Sequence, residues 1–233
     1  VTAIAIIPAR GGSKRIPRKN IKVFHGRPMM AYSIQAALES GLFARVVVST
    51  DDTEIAEVAR SWGAEVPFLR PAELADDHAG TVEVIQHAVA ALREQGENFA
   101  YACCLYATAP FVTPADLTRG LDALESHPDK AYAFTVTDYA SPVQRALRLR
   151  PDGGVESLYP AFYETRSQDL EPAFHDAGQF YWGRTEAWAQ GAPLHAPHSL
   201  PVRLPRYRVQ DIDTPEDWQR AETLFAALGA MPR

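Results

Sequence analysis

Residues 8–20 read Pro-Ala-Arg-Gly-Gly-Ser-Lys-Arg-Ile-Pro-Arg-Lys-Asn and follow directly on the apolar run Ile4-Ala5-Ile6-Ile7. Adjacent glycines after a buried strand let the backbone approach a ligand and turn successive N–H groups toward an anion. In an open α/β sheet such a loop lies at the carboxyl ends of the strands, where ligands bind. Arg10, Gly11, Gly12, Ser13, Lys14 and Lys19 are therefore candidates to hold a triphosphate and to stabilise charge on a leaving pyrophosphate. The spacing is neither Gly-x4-Gly-Lys-Ser/Thr nor Gly-x-Gly-x-x-Gly. A solvated basic loop is the plainer alternative. A transit peptide does not fit a buried strand, two prolines and paired glycines.

Asp211 and Asp213 stand two residues apart, just ahead of Thr214-Pro215. In extended chain both point to one side, so two hard oxygen ligands can converge on Mg²⁺, which would bridge triphosphate oxygens and lower the pKa of an attacking hydroxyl. On spacing alone, a role for Asp213 in starting the next helix fits equally well. Asp51 and Asp52 alternate sides on a continuing strand and do not serve one site; Asp52 reads as a helix N-terminal residue. Asp76-Asp77 reads as a solvated loop or as scaffolding near the ligand. The histidines show no zinc spacing, Cys103-Cys104 reads as core, and no Gly-x-Ser-x-Gly elbow occurs.

The chain of 233 residues carries 23 Lys+Arg and 29 Asp+Glu, a net charge of −6 that argues against a general nucleic-acid binder. The distribution is uneven. Seven cations precede the first acidic residue, Glu39, so residues 1–38 carry +7 and the remainder −13. Such a block on an acidic chain marks a specific polyanion site. The longest apolar stretch, Phe99 to Ala107, is nine residues, too short to span a bilayer. Two neighbouring cysteines cannot staple distant segments, and no Asn-x-Ser/Thr site occurs. A soluble, reduced, cytoplasmic protein with no membrane partner is expected.

The elements that must position these residues follow from periodicity. Ile4–Ile7, Arg45–Ser49, Tyr101–Tyr106 and Ala131–Val136 read as strands. Between them, helix-period stripes run through Met30, Ile34 and Leu38, then Ile55, Val58 and Trp62, then Ile85, Ala88 and Leu92. Pro28 opens the first helix and Gly41 ends it; Thr113-Pro114 and Thr214-Pro215 start later ones. The alternation implies a Rossmann-like three-layer α/β/α domain with a mainly parallel sheet, spanning 1–233. Residues 138–176 break the rhythm and read as an inserted excursion, with a hairpin turn at Asp152-Gly153-Gly154.

Ile6-Ile7-Pro8-Ala9-Arg10-Gly11-Gly12-Ser13-Lys14, with Pro17, Lys19 and Asn20, resembles the signature of the CMP-sialic acid synthetase (acylneuraminate cytidylyltransferase) family. The likeness extends through Ser49-Thr50-Asp51-Asp52, Phe68-Leu69-Arg70-Pro71, Thr108-Ala109-Pro110 and Asp211-Ile212-Asp213. It implies a nucleotidyltransferase that activates an acidic nine-carbon sugar with CTP. Arg10, Lys19 and Asn20 would contact phosphates and ribose, Arg70 and Thr81 the cytosine end, and Asp211 and Asp213 the Mg²⁺. It also implies a homodimer in which the excursion reaches toward the neighbour's site.

For the sugar, an acidic N-acylated ring needs a cation for its carboxylate and aromatic or amide groups for its arms. Arg166 is the carboxylate candidate, and Gln179, Phe180 and Tyr181 candidates for the pocket wall, although Phe180-Tyr181-Trp182 reads equally as core. His175 would help position hydroxyls. Departures from the sialic acid pattern fall at Tyr106, Gln144 and Ala177, on the sugar side alone. Together with Arg166–Leu170 and Asp176–Trp182 they resemble the members acting on pseudaminic acid, with N-acetylneuraminate or legionaminate as alternative sugars. The implied reaction is attack of the anomeric hydroxyl on the α-phosphorus of CTP, with Arg10 and Lys19 stabilising charge and Asp211 assisting deprotonation. A non-catalytic nucleotide-binding module is the rival class.

Overall fold

The first apolar run forms β1 (Ala3–Pro8), buried until its last residue, in a computed structural model that describes residues 2–75 and 79–230. A two-residue ladder, β2 (Val23–Phe24) with β3 (Arg27–Pro28), leads into α1 (Met29–Ser40). Then come β4 (Arg45–Ser49), α2 (Thr53–Ser61), α3 (Thr81–Glu94), β5 (Tyr101–Leu105), α4 (Pro114–Glu125) and β6 (Tyr132–Asp138). A hairpin of β7 (Leu147–Leu149) and β8 (Val155–Ser157) precedes the long β9 (Phe174–Arg184). The chain closes with α5 (Thr185–Ala189), β10 (Ser199–Arg203) and α6 (Pro215–Ala230).

Six strands make one sheet in the order β10-β6-β9-β5-β1-β4. β1 is parallel to β4 and β5, and β10 to β6, while β9 runs antiparallel to both its neighbours. Alternate β1 residues serve opposite faces. Ala5 and Ile7 pack with Ile34 of α1 and Leu117 of α4, whereas Ile4 and Ile6 pack with Ile85 and Leu92 of α3. Helices cover both faces, giving the three-layer α/β/α architecture and explaining why these strands are continuously apolar. A third cluster joins Phe24 and Met29 to Ile212 and Trp218, docking α6 beside the first loop. This packing carries the Asp211–Asp213 segment back to the start of the chain.

Helix starts follow side-chain chemistry. Thr113 and Asp116 exchange reciprocal bonds, the Asp116 N–H to Thr113 Oγ1 at 3.3 Å and the Thr113 N–H to Asp116 Oδ2 at 3.1 Å. Thr214 and Asp217 repeat the arrangement at 3.2 and 2.8 Å. Pro28 differs from expectation: its ψ of 139° is extended, so it ends the β2–β3 ladder and the helix begins at Met29. The excursion is also shorter than its pattern suggests. β6 runs through Asp138 and β9 begins at Phe174, so residues 174–176 belong to the central sheet. With strands on both sides and helices on both faces, β9 lacks the polar alternation that would have revealed its length.

Candidate active site

The loop after β1 is shaped from within. Gly11 donates its N–H to Asp51 Oδ1 at 2.9 Å, and Ser13 its N–H to Gly11 O at 3.0 Å. The Gly11 N–H is therefore engaged by a carboxylate rather than presented to an anion, unlike the sequence expectation. A Cβ at Gly11 would stand 2.7 Å from Asp52 Oδ2, so the close approach of the loop to the β4–α2 turn requires glycine. Asp52 caps α2 by accepting from the Ile55 N–H at 3.0 Å. It also receives Arg18 at 2.5 and 3.0 Å, which holds its carboxyl down at about 2. Asn20 donates Nδ2 to Arg10 O at 3.0 Å while its own carbonyl accepts the Met30 N–H at 2.9 Å, a strut from the loop to α1.

Lys19 reaches across to the C-terminal segment, donating Nζ to Ile212 O at 2.6 Å and to Asp213 Oδ1 at 3.2 Å. Arg15 meets Asp213 Oδ2 at 2.8 Å. Loop and carboxylate, 194 residues apart, thus border one cleft of about 540 Å³, within the usual range for ligand sites. Arg10, Ser13, Lys14, Lys19 and Asn20 line it from the loop, Arg70, Thr81 and Tyr106 from the facing elements. Arg15 is a further lining cation, with no fixed spacing to mark it in the sequence. Five cations against Asp213 make the cleft strongly positive, as a polyphosphate requires.

Arg70 is 6% exposed and donates to Ser49 O at 2.5 Å, Ser49 Oγ at 3.2 Å and Leu74 O at 3.4 Å. Burial lowers its pKa to about 10, which leaves it cationic at neutral pH. Thr81 is the first residue of α3, whose positive end borders the cleft. Asp211 and Gly11 are outside the cleft lining, as is Gly12. The Asp211 carboxyl is raised, first by the protein packed around it and next by the like charge of Asp213. The segment leading to it is anchored by Arg208, which pairs with Asp116 at 2.6 and 3.0 Å. Asp76-Asp77 lies outside the described residues.

A second cavity of about 410 Å³ shares Thr81 and Tyr106 with the first. The two hydroxyls lie 2.7 Å apart. Tyr181 donates its OH to Asp176 Oδ2 at 2.7 Å, and both line this cavity with Leu194 and His195. Burial pushes the Tyr106 phenol up to about 12 and that of Tyr181 further still, so both remain neutral hydroxyls. Asp176 and His195 were not singled out as ligands from the sequence. The available signal was an acidic residue inside an otherwise aromatic strand.

The other sugar-side expectations are not brought together. Phe180 is fully buried beside Gly120, where a Cβ would sit 2.8 Å from its Cε2; it is core, because it faces α4 rather than the cavity. Gln179 is fully buried too, its Nε2 donating to Ala177 O at 3.0 Å, and it lines neither cavity. His175 points its ring to its own strand, Nδ1 donating to Asp176 O at 2.8 Å. Gln144 and Arg166 lie in the excursion, bonded to Glu171 O at 3.0 Å and Asp169 Oδ2 at 2.8 Å, and neither lines either of the two cavities.

The cytidylyltransferase family profile matches residues 4–148. The chain is 45% identical over 222 residues to the pseudaminic acid cytidylyltransferase of Campylobacter jejuni subsp. jejuni serotype O:2, with 95% of each chain covered. It is 31% identical over 231 residues to the CMP-N,N'-diacetyllegionaminic acid synthase of Legionella pneumophila subsp. pneumophila, again covering 95% of each. In fold it matches a CMP:2-keto-3-deoxy-manno-octonic acid synthetase complexed with CTP, with a TM-score of 0.71, 18% identity, and 98% of this chain and 100% of that one covered. The sequence signature, the three-layer fold and these likenesses agree, and the chain belongs to the cytidylyltransferase family.

Proposed function

We propose that this cytidylyltransferase transfers CMP from CTP to the anomeric hydroxyl of pseudaminic acid, giving CMP-pseudaminic acid and pyrophosphate. The observation that carries the reading is the cleft in which Arg10, Lys14, Arg15 and Lys19 meet Asp213 and which adjoins a second, cation-free cavity through Thr81 and Tyr106. The choice of sugar rests on the 45% identity to the Campylobacter jejuni enzyme.

In this reading the triphosphate lies along the loop, with Ser13 beside it, and the base extends toward Arg70 and Thr81. The anomeric oxygen forms a bond to the α-phosphorus as the bond to the β-phosphate oxygen breaks. Arg10 and Lys14 face the charge that develops on the transferring phosphate, and Lys19, fixed through Ile212 O, supports the departing pyrophosphate. The hydroxyl's proton passes to solvent water, with Asp211 assisting its departure.

Among the described residues no group of three or more His, Cys, Asp or Glu side chains could hold a metal. Asp211 and Asp213 are nonetheless close enough for the charge of one to raise the other. Two hard carboxylates completed by substrate phosphates and water are the usual Mg²⁺ set, so the residues fit the ion and would hold it. Bound there, Mg²⁺ would act as a Lewis acid toward the phosphates.

A homodimer is part of the proposal. The hairpin exposes Leu147, Leu149 and Val155, apolar side chains suited to a subunit interface, and Arg166 of the same excursion would approach the neighbour's sugar. The reaction belongs in the cytoplasm, where CTP is made. Among the described residues no helix is long and apolar enough to cross a membrane.

Pyrophosphate release with CTP, measured across pseudaminic acid, N,N'-diacetyllegionaminic acid, N-acetylneuraminate and a keto-deoxy-octonate, tests the reading. The highest kcat/KM is expected with pseudaminic acid. A higher value with another sugar would reassign the substrate. CTP binding by calorimetry without pyrophosphate from any sugar would leave only a binding module.

A further inference from the structure

The second cavity has an uneven chemistry that bears on how the sugar is held. Neither lysine nor arginine lines it, while Asp176 and Glu83 both do. The Glu83 carboxylate accepts the Gly80 N–H at 2.9 Å and belongs to the start of α3. Asp176 is different. Its Oδ1 accepts the Gly178 N–H at 2.8 Å, and its Oδ2 accepts Tyr181 OH at 2.7 Å and His195 Nε2 at 3.2 Å. A carboxylate offers about four acceptor positions, so these three donors leave room for one more.

The strand is built to bring Asp176 there. The β6–β9 register shifts between Phe134 and Val136, so Asp176 pairs with Val136 while Tyr181 pairs with Phe134. Thr135 Oγ1 accepts the N–H groups of Gln179 and Phe180 at 3.2 and 3.3 Å within that irregularity, and Gly178 takes φ +59. A bulge of this kind re-aims side chains next to a site. Val82 and Leu194 supply apolar wall beside the carboxylate.

From this we infer that Asp176, held by Tyr181 and His195, reads an acylamino arm of the sugar, accepting its amide N–H while Val82 and Leu194 receive the acyl methyl. The inference rests on the proposed transfer of CMP to a nonulosonic acid and deepens it. The anomeric carbon must face the cytidylate, and it also carries the sugar's carboxylate. That end therefore lies toward the cationic cleft, and acidic Asp176 and Glu83 would repel it from the second cavity. The arms at the far end of the sugar are neutral, and an amide presents the donor that Asp176 lacks. Asp176 and His195 thus set specificity, and neither is assigned a part in the chemical step.

Asp176→Asn tests this with little change of shape. The asparagine keeps an oxygen for the Gly178 N–H, but its NH₂ meets the Tyr181 and His195 donors where the second oxygen stood and the negative charge is gone, so the group is unseated and accepts an amide N–H more weakly. The KM for N,N'-diacetyllegionaminic and pseudaminic acids is expected to rise about 10- to 100-fold, with the KM for CTP unchanged. The keto-deoxy-octonate, which has no acylamino arm, should respond less than about 3-fold. His195→Ala, at an exposed side chain, should raise the diacylamino sugar KM by a smaller factor in the same direction. Equal effects on all sugars, or a change in the CTP KM instead, would overturn the inference while the transfer reaction stood. If the unaltered enzyme used no diacylamino sugar at all, the proposed function would fall, and this inference with it.

Discussion

Arg10→Ala is expected to lower the rate of pyrophosphate release by about 10²- to 10³-fold, the usual loss when one charge-stabilising donor is removed from a preorganised site. Arg10 lines the cleft, and its backbone is held independently of its side chain, since Asn20 Nδ2 grips the Arg10 carbonyl at 3.0 Å. The loop should therefore keep its shape, and the thermal midpoint should move little. The loss should appear mainly in kcat, because the charge on the transferring phosphate grows in the transition state. Steady-state kinetics together with a melting curve check this, and an unaltered rate would remove Arg10 from the catalytic set.

Asp213→Ala should cost about 10²-fold in turnover and also raise the Mg²⁺ concentration needed for half-maximal rate by about 10-fold or more, as loss of one of two hard ligands implies. The second readout separates the proposed metal role from the cation clamp that the geometry shows. Asp213 meets Arg15 at 2.8 Å and Lys19 at 3.2 Å, so it also clamps two cations. Were clamping its whole contribution, the rate would fall with the Mg²⁺ dependence unchanged. Lys19 keeps its bond to Ile212 O at 2.6 Å in either case, which limits the collapse of the cleft.

The framework was legible wherever one physical signal dominated. Continuous apolar runs announced β1 and β4 because parallel strands are covered on both faces, and Thr113-Pro114 and Thr214-Pro215 marked helix starts because their hydroxyls accept a first-turn N–H. The nucleotide-side candidates cluster in the same way. Those from Arg10 to Asn20 lie on one loop after one strand, Arg70 and Thr81 come from other segments, and the fold brings all but Gly11 and Gly12 to a single cleft.

The sugar side was harder to read for reasons of geometry. β9 carries Gln179, Phe180 and Tyr181 as neighbours, but a strand sends successive residues to opposite faces, so Phe180 joins the core while Tyr181 borders the cavity. The bulge at Gly178 then interrupts even that alternation and turns Asp176 to the site. A glycine inside a strand hints at a bulge but does not say how far the register shifts. Nor does sequence spacing reveal that the Gly11 N–H is taken by Asp51, forty residues on. Gln144 and Arg166 sit in an excursion bonded to itself, so within one chain they contribute to neither cavity.

The most direct test is a crystal structure of the protein with CTP bound. The triphosphate should lie against Arg10, Lys14 and Lys19, with the cytosine beside Arg70 and Thr81 and the α-phosphorus turned toward Tyr106. A nucleotide bound on another face, or with its phosphates in the cavity of Asp176 and His195, would contradict the account.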